Sequence, residues 1–363
     1  MNYIQEFRNP EISKIILHQI EEVSAQLERK INIMEICGGH TYAIFRFGIN
    51  NVLPENINLI SGPGCPVCVT SQSFIDEAIE YAKLPNVTLC TFGDLVRVPG
   101  SYSSLSREKS EGASIEICYS PMESLSLAMN SPGQEIIFLG IGFETTAPLT
   151  AALVLEAKSR GITNLSVLSA HKTMPRALYA LLNSEMVKVD GLICPGHVSS
   201  VTGYSIYSEI VDNLQIPAVI CGFEPNDILQ TILMLVQQIR SDKAKIENQY
   251  SRGVKKEGNI LAQKMMNRVF MPVTSYWRGI GNIPASGLEV AEEFNSFNAR
   301  QKNSVAVPPE RIIKGCICGE IMQGVKKPTD CQLFGTVCTP QDPQGACMVS
   351  SEGGCATYYK FRE

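Results

Sequence analysis

The stretch INIMEICGGH, residues 31–40, decides the fold: a short run of apolar, β-branched residues stops abruptly in a thiol, two glycines and an imidazole. A run that short and apolar suits a strand covered on both faces. The two glycines suit a tight turn out of it. Outward from there the same construction recurs. Apolar runs at 57–60, 87–91, 114–118, 135–140, 165–169, 191–194 and 218–221 alternate with longer stretches of helical period. Most end in Gly, Cys, His or acidic residues: SGPGCPVC from Ser61, FGD from Phe92, GIGFE from Gly140, SAHK from Ser169, CPGH from Cys194 and CGFEP from Cys221. That alternation is the rhythm of βαβ units and predicts an α/β fold on parallel sheets. Eight strands are too many for one small sheet. Ligands of such folds bind beyond the carboxyl ends of the strands, so these motifs are expected to converge on one or two clefts. Cys37-Gly-Gly-His40 and Cys194-Pro-Gly-His197 share a C-x-G-H pattern in the two halves of the chain, which points to paired Rossmann-like domains.

At 363 residues the chain exceeds what a single core usually supports, so two or three domains are expected. A hydrophobic content of 44% with 18% charged residues describes a globular protein, and a formal charge of −5 gives no electrostatic reason to expect nucleic acid. The N-terminal sequence MNYIQEFRNPEISKIILHQIEEV reads as an amphipathic helix and lacks the apolar core of a secretory signal. Glu144 interrupts the most apolar stretch, around 136–155, so no window approaches a membrane span. A cytoplasmic location, with neither nucleic acid nor membrane as partner, is the expectation. In a reducing compartment thirteen cysteines point to metal ligands, catalytic thiols and ordinary buried thiols rather than a disulfide framework.

Two strand-end motifs carry the most chemistry. In Cys37-Gly-Gly-His40 a thiolate and an imidazole three positions apart can meet one metal or form an ion pair, the alternative being a turn with a buried thiol and a capping histidine. In Gly62-Pro-Gly-Cys65-Pro-Val-Cys68 a C-x-x-C lies between a strand and a helix predicted over 71–82, where the helix dipole lowers thiol pKa. Such a pair can shuttle between dithiol and disulfide or hold a soft metal, and both readings stand. Gly140-Ile-Gly-Phe-Glu144 has part of a dinucleotide turn but lacks its third glycine. Glu144 suits an acid or metal-facing group, or an ordinary carboxylate at a helix start. His171 and His197 stand at strand ends, equally suited to function and to structural hydrogen bonding. Cys90, Cys118 and Cys221 fit buried small-hydrophobe roles, and Asp94 with Arg97 could form a loop ion pair.

The tail differs from all of this. Six cysteines, Cys316, Cys318, Cys331, Cys338, Cys347 and Cys355, fall in the last 48 residues among Gly and Pro, with little helical or strand period. A segment of that kind is expected where a metal site supplies the core. Six thiols exceed the four that an iron–sulfur cluster or a structural zinc consumes, so one arrangement is four ligands and a spare pair. With no second C-x-x-C and no histidine in the tail, a cluster is favoured over zinc.

Taken together, ICGGHT, GPGCPVC, TFGDLVRVPGS, GFETTAP, SAHKTMP, CPGHVS and the tail GCICGEIMQGVKKPTDCQLFGTVCTPQDPQGACMVSSEGGC resemble the HypD family of [NiFe]-hydrogenase maturation factors, in order and across essentially the whole chain. The resemblance implies a scaffold for assembling the Fe(CN)2CO moiety, working with a HypC-type chaperone and a HypE-type cyanide donor. It implies two Rossmann-like domains and a small C-terminal iron–sulfur domain, which here would be 31–143, then 1–30 with 144–258, and 259–363. It implies a [4Fe–4S] cluster on Cys316, Cys331, Cys338 and Cys355, with Cys318 and Cys347 as the thiol pair beside it. Cys37, His40, Cys65 and Cys68 would form the cleft where Fe(II) is transiently held as Fe(CN)2CO, with electrons passing from the cluster through Cys318/Cys347 to Cys65/Cys68. Two other readings compete: a cluster-dependent thiol–disulfide oxidoreductase, and an interaction protein whose tail folds around zinc.

Overall fold

The computed structural model describes residues 3–311 and 313–361; the few remaining positions of the ranges above lie outside it. Eleven strands are present among the described residues. They are β1 (Ile31–Glu35), β2 (Ile57–Ser61), β3 (Val87–Thr91), β4 (Ser114–Ile117), β5 (Glu135–Gly140), β6 (Leu165–Ser169), β7 (Gly191–Pro195), β8 (Ala218–Cys221), β9 (Ile246–Asn248), β10 (Phe270–Trp277) and β11 (Gly281–Val290). The first eight are the strands expected from the sequence, to within a residue or so. They form two parallel sheets, ordered β2-β1-β7-β8-β9 and β4-β3-β5-β6, so the fold is α/β with two parallel sheets.

Burial explains the composition of the strands. All residues of β3, β6, β7 and β8 are buried, because helices cover both faces of each sheet. The edge strand β4 buries only Ile115 and presents Glu116 to solvent, as an unpaired edge requires. Helix starts follow local chemistry. The Ser71 hydroxyl accepts the Phe74 N–H, Ser120 and Glu123 form a capping box, and the Asn259 side chain accepts the Ala262 N–H. Each cap contributes about 1 kcal/mol. The helix predicted over 71–82 is Gln72–Ala82, and a longer helix, Pro225–Ser241, follows β8.

The sheets share out the strands differently from the expected ranges. The chain leaves the first sheet after β2, builds the whole second sheet from β3 to β6, and returns at β7, which pairs beside β1. Residues 31–143 therefore contribute to both sheets. The boundary near 259 also moves: helix Ile260–Val269 and the antiparallel hairpin β10–β11 pack on the second sheet, where Met266, Phe270, Leu288 and Phe297 share one core with Ile136, Phe138 and Val154. Apolar strands are interchangeable as pairing partners, so a βαβ rhythm reveals that strands exist and not which neighbours they choose. The segment after about residue 303 has no strand among the described residues, though Ile321, Met322, Cys347 and Met348 share a core with Met34, Val67 and Leu139. It crosses the carboxyl ends of the first sheet as short helices, Cys318–Met322, Ala346–Val349 and Gly354–Phe361.

Candidate functional site

The carboxyl ends of β1, β2, β7 and β8 bring CGGH, GPGCPVC, CPGH and CGFEP to one side of the first sheet. Cys37 is the N-cap of helix Gly38–Arg46. Beneath it lies Glu35, 2% exposed, whose Oε2 accepts the Cys37 N–H at 3.0 Å and whose other oxygen accepts the Thr41 hydroxyl. Burial pushes the Glu35 carboxyl up to about 8. The Cys37 thiol is pushed up to about 12, first by burial and then by the Glu352 and Glu35 carboxylates, against the backbone N–H groups of His40 and Gly39.

The glycines of the two motifs exist for close approach. A Cβ on Gly38 would stand 2.4 Å from the Cβ and the carbonyl oxygen of Glu352, and one on Gly64 would stand 2.3 Å from the Cys37 nitrogen. Three segments, β1 end, β2 end and tail, thus meet with no side chain between them. Cys65 and Cys68 are joined by a disulfide with Cα atoms 5.3 Å apart, both buried. Of the two readings left open by the C-x-x-C, the structure has the oxidised pair. The Cys65 sulfur caps the short helix Pro66–Val69, accepting the Cys68 N–H at 3.2 Å. Cys68 Sγ is 3.9 Å from the Ala346 carbonyl oxygen, and Cys65, Cys68 and Cys347 line one cavity of about 20 Å³.

The two C-x-G-H motifs stand on β1 and β7, neighbours in one sheet rather than counterparts in two domains. His40 is fully buried, its Nε2 2.9 Å from the Gly222 carbonyl oxygen, and burial lowers it to about 4. Its Nδ1 has no partner among the described residues. In the tail, Cys316 and Cys318 sulfurs are 3.1 Å apart, and Cys318 also hydrogen-bonds Cys347 and Cys355. Cys355 in turn feels Cys316 and Cys331, and Cys338 feels Cys355 and Cys316. All six tail thiols are therefore brought together.

A family model described as "HypD: Hydrogenase formation hypA family" matches residues 11–362. The chain belongs to the HypD family. Proteins named hydrogenase maturation factor HypD from Rhodobacter capsulatus and Cupriavidus necator are 44% and 45% identical to it, each over 99% of this chain and 98% and 97% of their own lengths. A hydrogenase expression/formation protein HupD from Azotobacter chroococcum is 44% identical over 99% of this chain and 97% of its own length.

The tail of this HypD-family chain offers a thiolate-ligated group its donor set. A Cβ on Gly345 would stand 2.8 Å from Cys318 Sγ and 3.4 Å from Cys316 Sγ, so the loop is shaped around sulfur, and the Gln344 N–H donates to Cys338 Sγ at 3.4 Å. Yet no group of three or more His, Cys, Asp or Glu side chains among the described residues has a preformed metal-site geometry. Cys316 and Cys318 instead share a hydrogen bond that draws Cys316 down to about 6 and pushes Cys318 up. Cys318 lies against two of the four expected ligands, Cys316 and Cys355, and against Cys347, and so joins the two sets.

Most polar groups of the second-sheet motifs are taken up by structure, Glu144 Oε2 excepted. His171 Nε2 meets the Thr150 hydroxyl at 2.9 Å, and burial lowers the ring to about 4. The Lys172 ammonium, buried and lowered to about 8, donates to Ser275 Oγ and the Tyr276 carbonyl, both at 2.8 Å. Glu144, 2% exposed and raised to about 7 by burial, accepts the Met174 N–H at 3.0 Å. Cys90, Cys118 and Cys221 are buried, as expected. Asp94 and Arg97 reach the tail instead of each other: Asp94 accepts the Ser350 hydroxyl and Arg97 donates to the Pro340 carbonyl. Three contributors escaped the sequence reading. Glu35 had a signal, a charge inside an apolar strand; Phe223 and Glu352 had none. Among the described residues no helix is long and apolar enough to cross a membrane.

Proposed function

We propose that this chain is a cytoplasmic scaffold for assembling the Fe(CN)2CO moiety of a [NiFe]-hydrogenase, with a HypC-type chaperone and a HypE-type cyanide donor as partners. Ferrous iron is cargo, received by Cys37 and His40, with Cys65 and Cys68 available once reduced. A [4Fe–4S] cluster on Cys316, Cys331, Cys338 and Cys355 would supply low-potential electrons when bound. The observation that carries this reading is the seating of the Cys65–Cys68 disulfide against the tail, in one small cavity with Cys347.

Thiol exchange needs an attacking sulfur in reach and a leaving sulfur that is stabilised. Cys347 lines the same small cavity as Cys68, and the N–H donated to Cys65 makes Cys65 the better leaving group. Cys347 bonds to Cys68 and Cys65 leaves; Cys318, hydrogen-bonded to Cys347, then bonds to Cys347 and releases Cys68. Two electrons and two protons pass from the Cys318/Cys347 dithiol to the strand-end pair. A Cys37 thiol held high by burial and carboxylates stays protonated until a cation displaces the proton, which suits a cargo that must be handed on.

Infrared and Mössbauer spectra of the protein purified anaerobically with its chaperone test the scaffold. Cyanide and CO stretches from low-spin iron, lost in Cys37→Ala, are expected; zinc without acid-labile sulfide would overturn it. The disulfide also favours a second reading, a cluster-dependent thiol–disulfide oxidoreductase. Turnover of a protein disulfide with no iron beyond the cluster would select that reading.

A further inference from the structure

The His40 ring meets two backbone carbonyls, that of Gly222 at 2.9 Å from Nε2 and that of Cys221. The Gly222 carbonyl oxygen can only accept, so the hydrogen sits on Nε2 and Nδ1 is left as a bare lone pair. That lone pair is buried and without a partner among the described residues. Buried polar atoms are ordinarily satisfied, so an unpaired one in the motif that carries Cys37 calls for a reason. The ring is also held by its faces. Phe223 stacks on His40 with centroids 4.6 Å apart and planes 18° apart, and on His197 at 3.9 Å and 20°. Two imidazoles at those separations cannot share one face of a phenyl ring, so Phe223 is sandwiched between them. Tyr250 meets Phe223 edge-on, 6.2 Å away at 87°, and the Gln249 side chain accepts the Gly222 N–H at 3.2 Å, which steadies the carbonyl. Gly39 lies on the same ring, where a Cβ would come within 3.3 Å of Phe223. The column runs from His197, exposed at the surface, to the fully buried His40.

We propose that Phe223 and His197 are positioning residues that clamp the plane of His40, keep it in the Nε2–H tautomer, and so hold Nδ1 as a bare acceptor in the motif that also carries Cys37. A neutral imidazole lone pair is a suitable ligand for ferrous iron, so the proposal deepens, and rests on, the cargo reading of the Cys37–His40 motif. A ring free to turn would lose the Gly222 bond and present either nitrogen. The clamp removes that choice before any ligand arrives. The shared C-x-G-H pattern then has a physical use: both histidines enclose the one phenylalanine of the neighbouring strand end.

The test uses long-range proton–nitrogen correlation spectra of the metal-free, nitrogen-15-labelled full chain, which report the tautomer without any iron. Wild type should give one Nε2–H tautomer for His40. Phe223→Leu should raise the minor tautomer several-fold, moving the Nδ1 resonance toward the protonated position, and Phe223→Tyr should restore it. His197→Ala, at an exposed position that does not endanger folding, should give part of the same shift, and His197→Phe should not. An Nδ1–H tautomer in wild type, or an unchanged tautomer in both Phe223→Leu and His197→Ala, would overturn the proposal. Ferrous iron uptake by wild type and Cys37→Ala, measured separately, decides the cargo reading whatever the spectra say.

Discussion

The carboxyl ends of the two sheets began as the same kind of sequence and ended differently. On the second sheet the β10–β11 hairpin covers the strand ends and takes up much of their polar chemistry: Ser169 donates to the Leu288 carbonyl and Lys172 to Ser275 and Tyr276, while His171 meets Thr150 and Gly142 outside the hairpin and Glu144 keeps one oxygen unpaired. On the first sheet the cover is a tail of short helices and thiols, which leaves a disulfide against Cys347 and an imidazole nitrogen unpaired. A strand-end motif is therefore only an offer of chemistry. Whether it is taken up depends on what folds over it.

The largest expected effect breaks the contrast from the tail side. Cys347→Ser should slow the appearance of free Cys65 and Cys68 thiols after addition of a low-potential reductant by roughly two orders of magnitude, since exchange requires an attacking thiolate. Alkylation followed by mass spectrometry reads it, and Cys318→Ser should trap a mixed disulfide between Cys347 and Cys68. Full-rate reduction in both variants would remove the relay. His171→Ala should instead cost about 3 kcal/mol in denaturant unfolding, from the lost buried bond and the hole left behind, with alkylation rates at the cleft unchanged.

A pH measurement sharpens the same point. The Glu144 carboxyl is raised in the folded protein to about 7, so its contribution is whole below the unfolded value and is lost as pH rises from about 4.5 to 7. Glu144→Gln should abolish up to about 3 kcal/mol of that decline, seen as a flatter stability curve across the window. The smallest effect concerns the tail's docking. Gly38→Ala forces a Cβ into Glu352 and should cost about 1–2 kcal/mol while raising alkylation of Cys347. Equal protection of Cys347 in that variant would mean that the tail is not seated by this contact.

The strands were legible because a parallel strand buried on both faces must be almost wholly apolar, and Val87–Thr91 or Leu165–Ser169 can be read no other way. Their partnering was not legible, since β1 pairs with β7 across more than 150 residues and nothing local marks the choice. The same holds for the site. Cys37, Cys65 and Cys68 stand out by residue type and glycine spacing, but Phe223 is an ordinary aromatic until the sheet order puts it between two histidines. Asp94 and Arg97, three residues apart in sequence, chose the distant tail over each other.

By itself the sequence determined the class of fold, the eight first strands, the family and the list of thiols, all of which follow from local hydrophobicity, turn chemistry and residue type. Tertiary structure alone decided which strand ends share a cleft, that Cys318 touches both expected sets of tail thiols, and that His171 and Lys172 are structural while His40 keeps a nitrogen open. The physical reason is the range of the interactions: burial period and turn preference act over a few residues, whereas a hydrogen bond or a thiol contact exists only where the chain returns to itself.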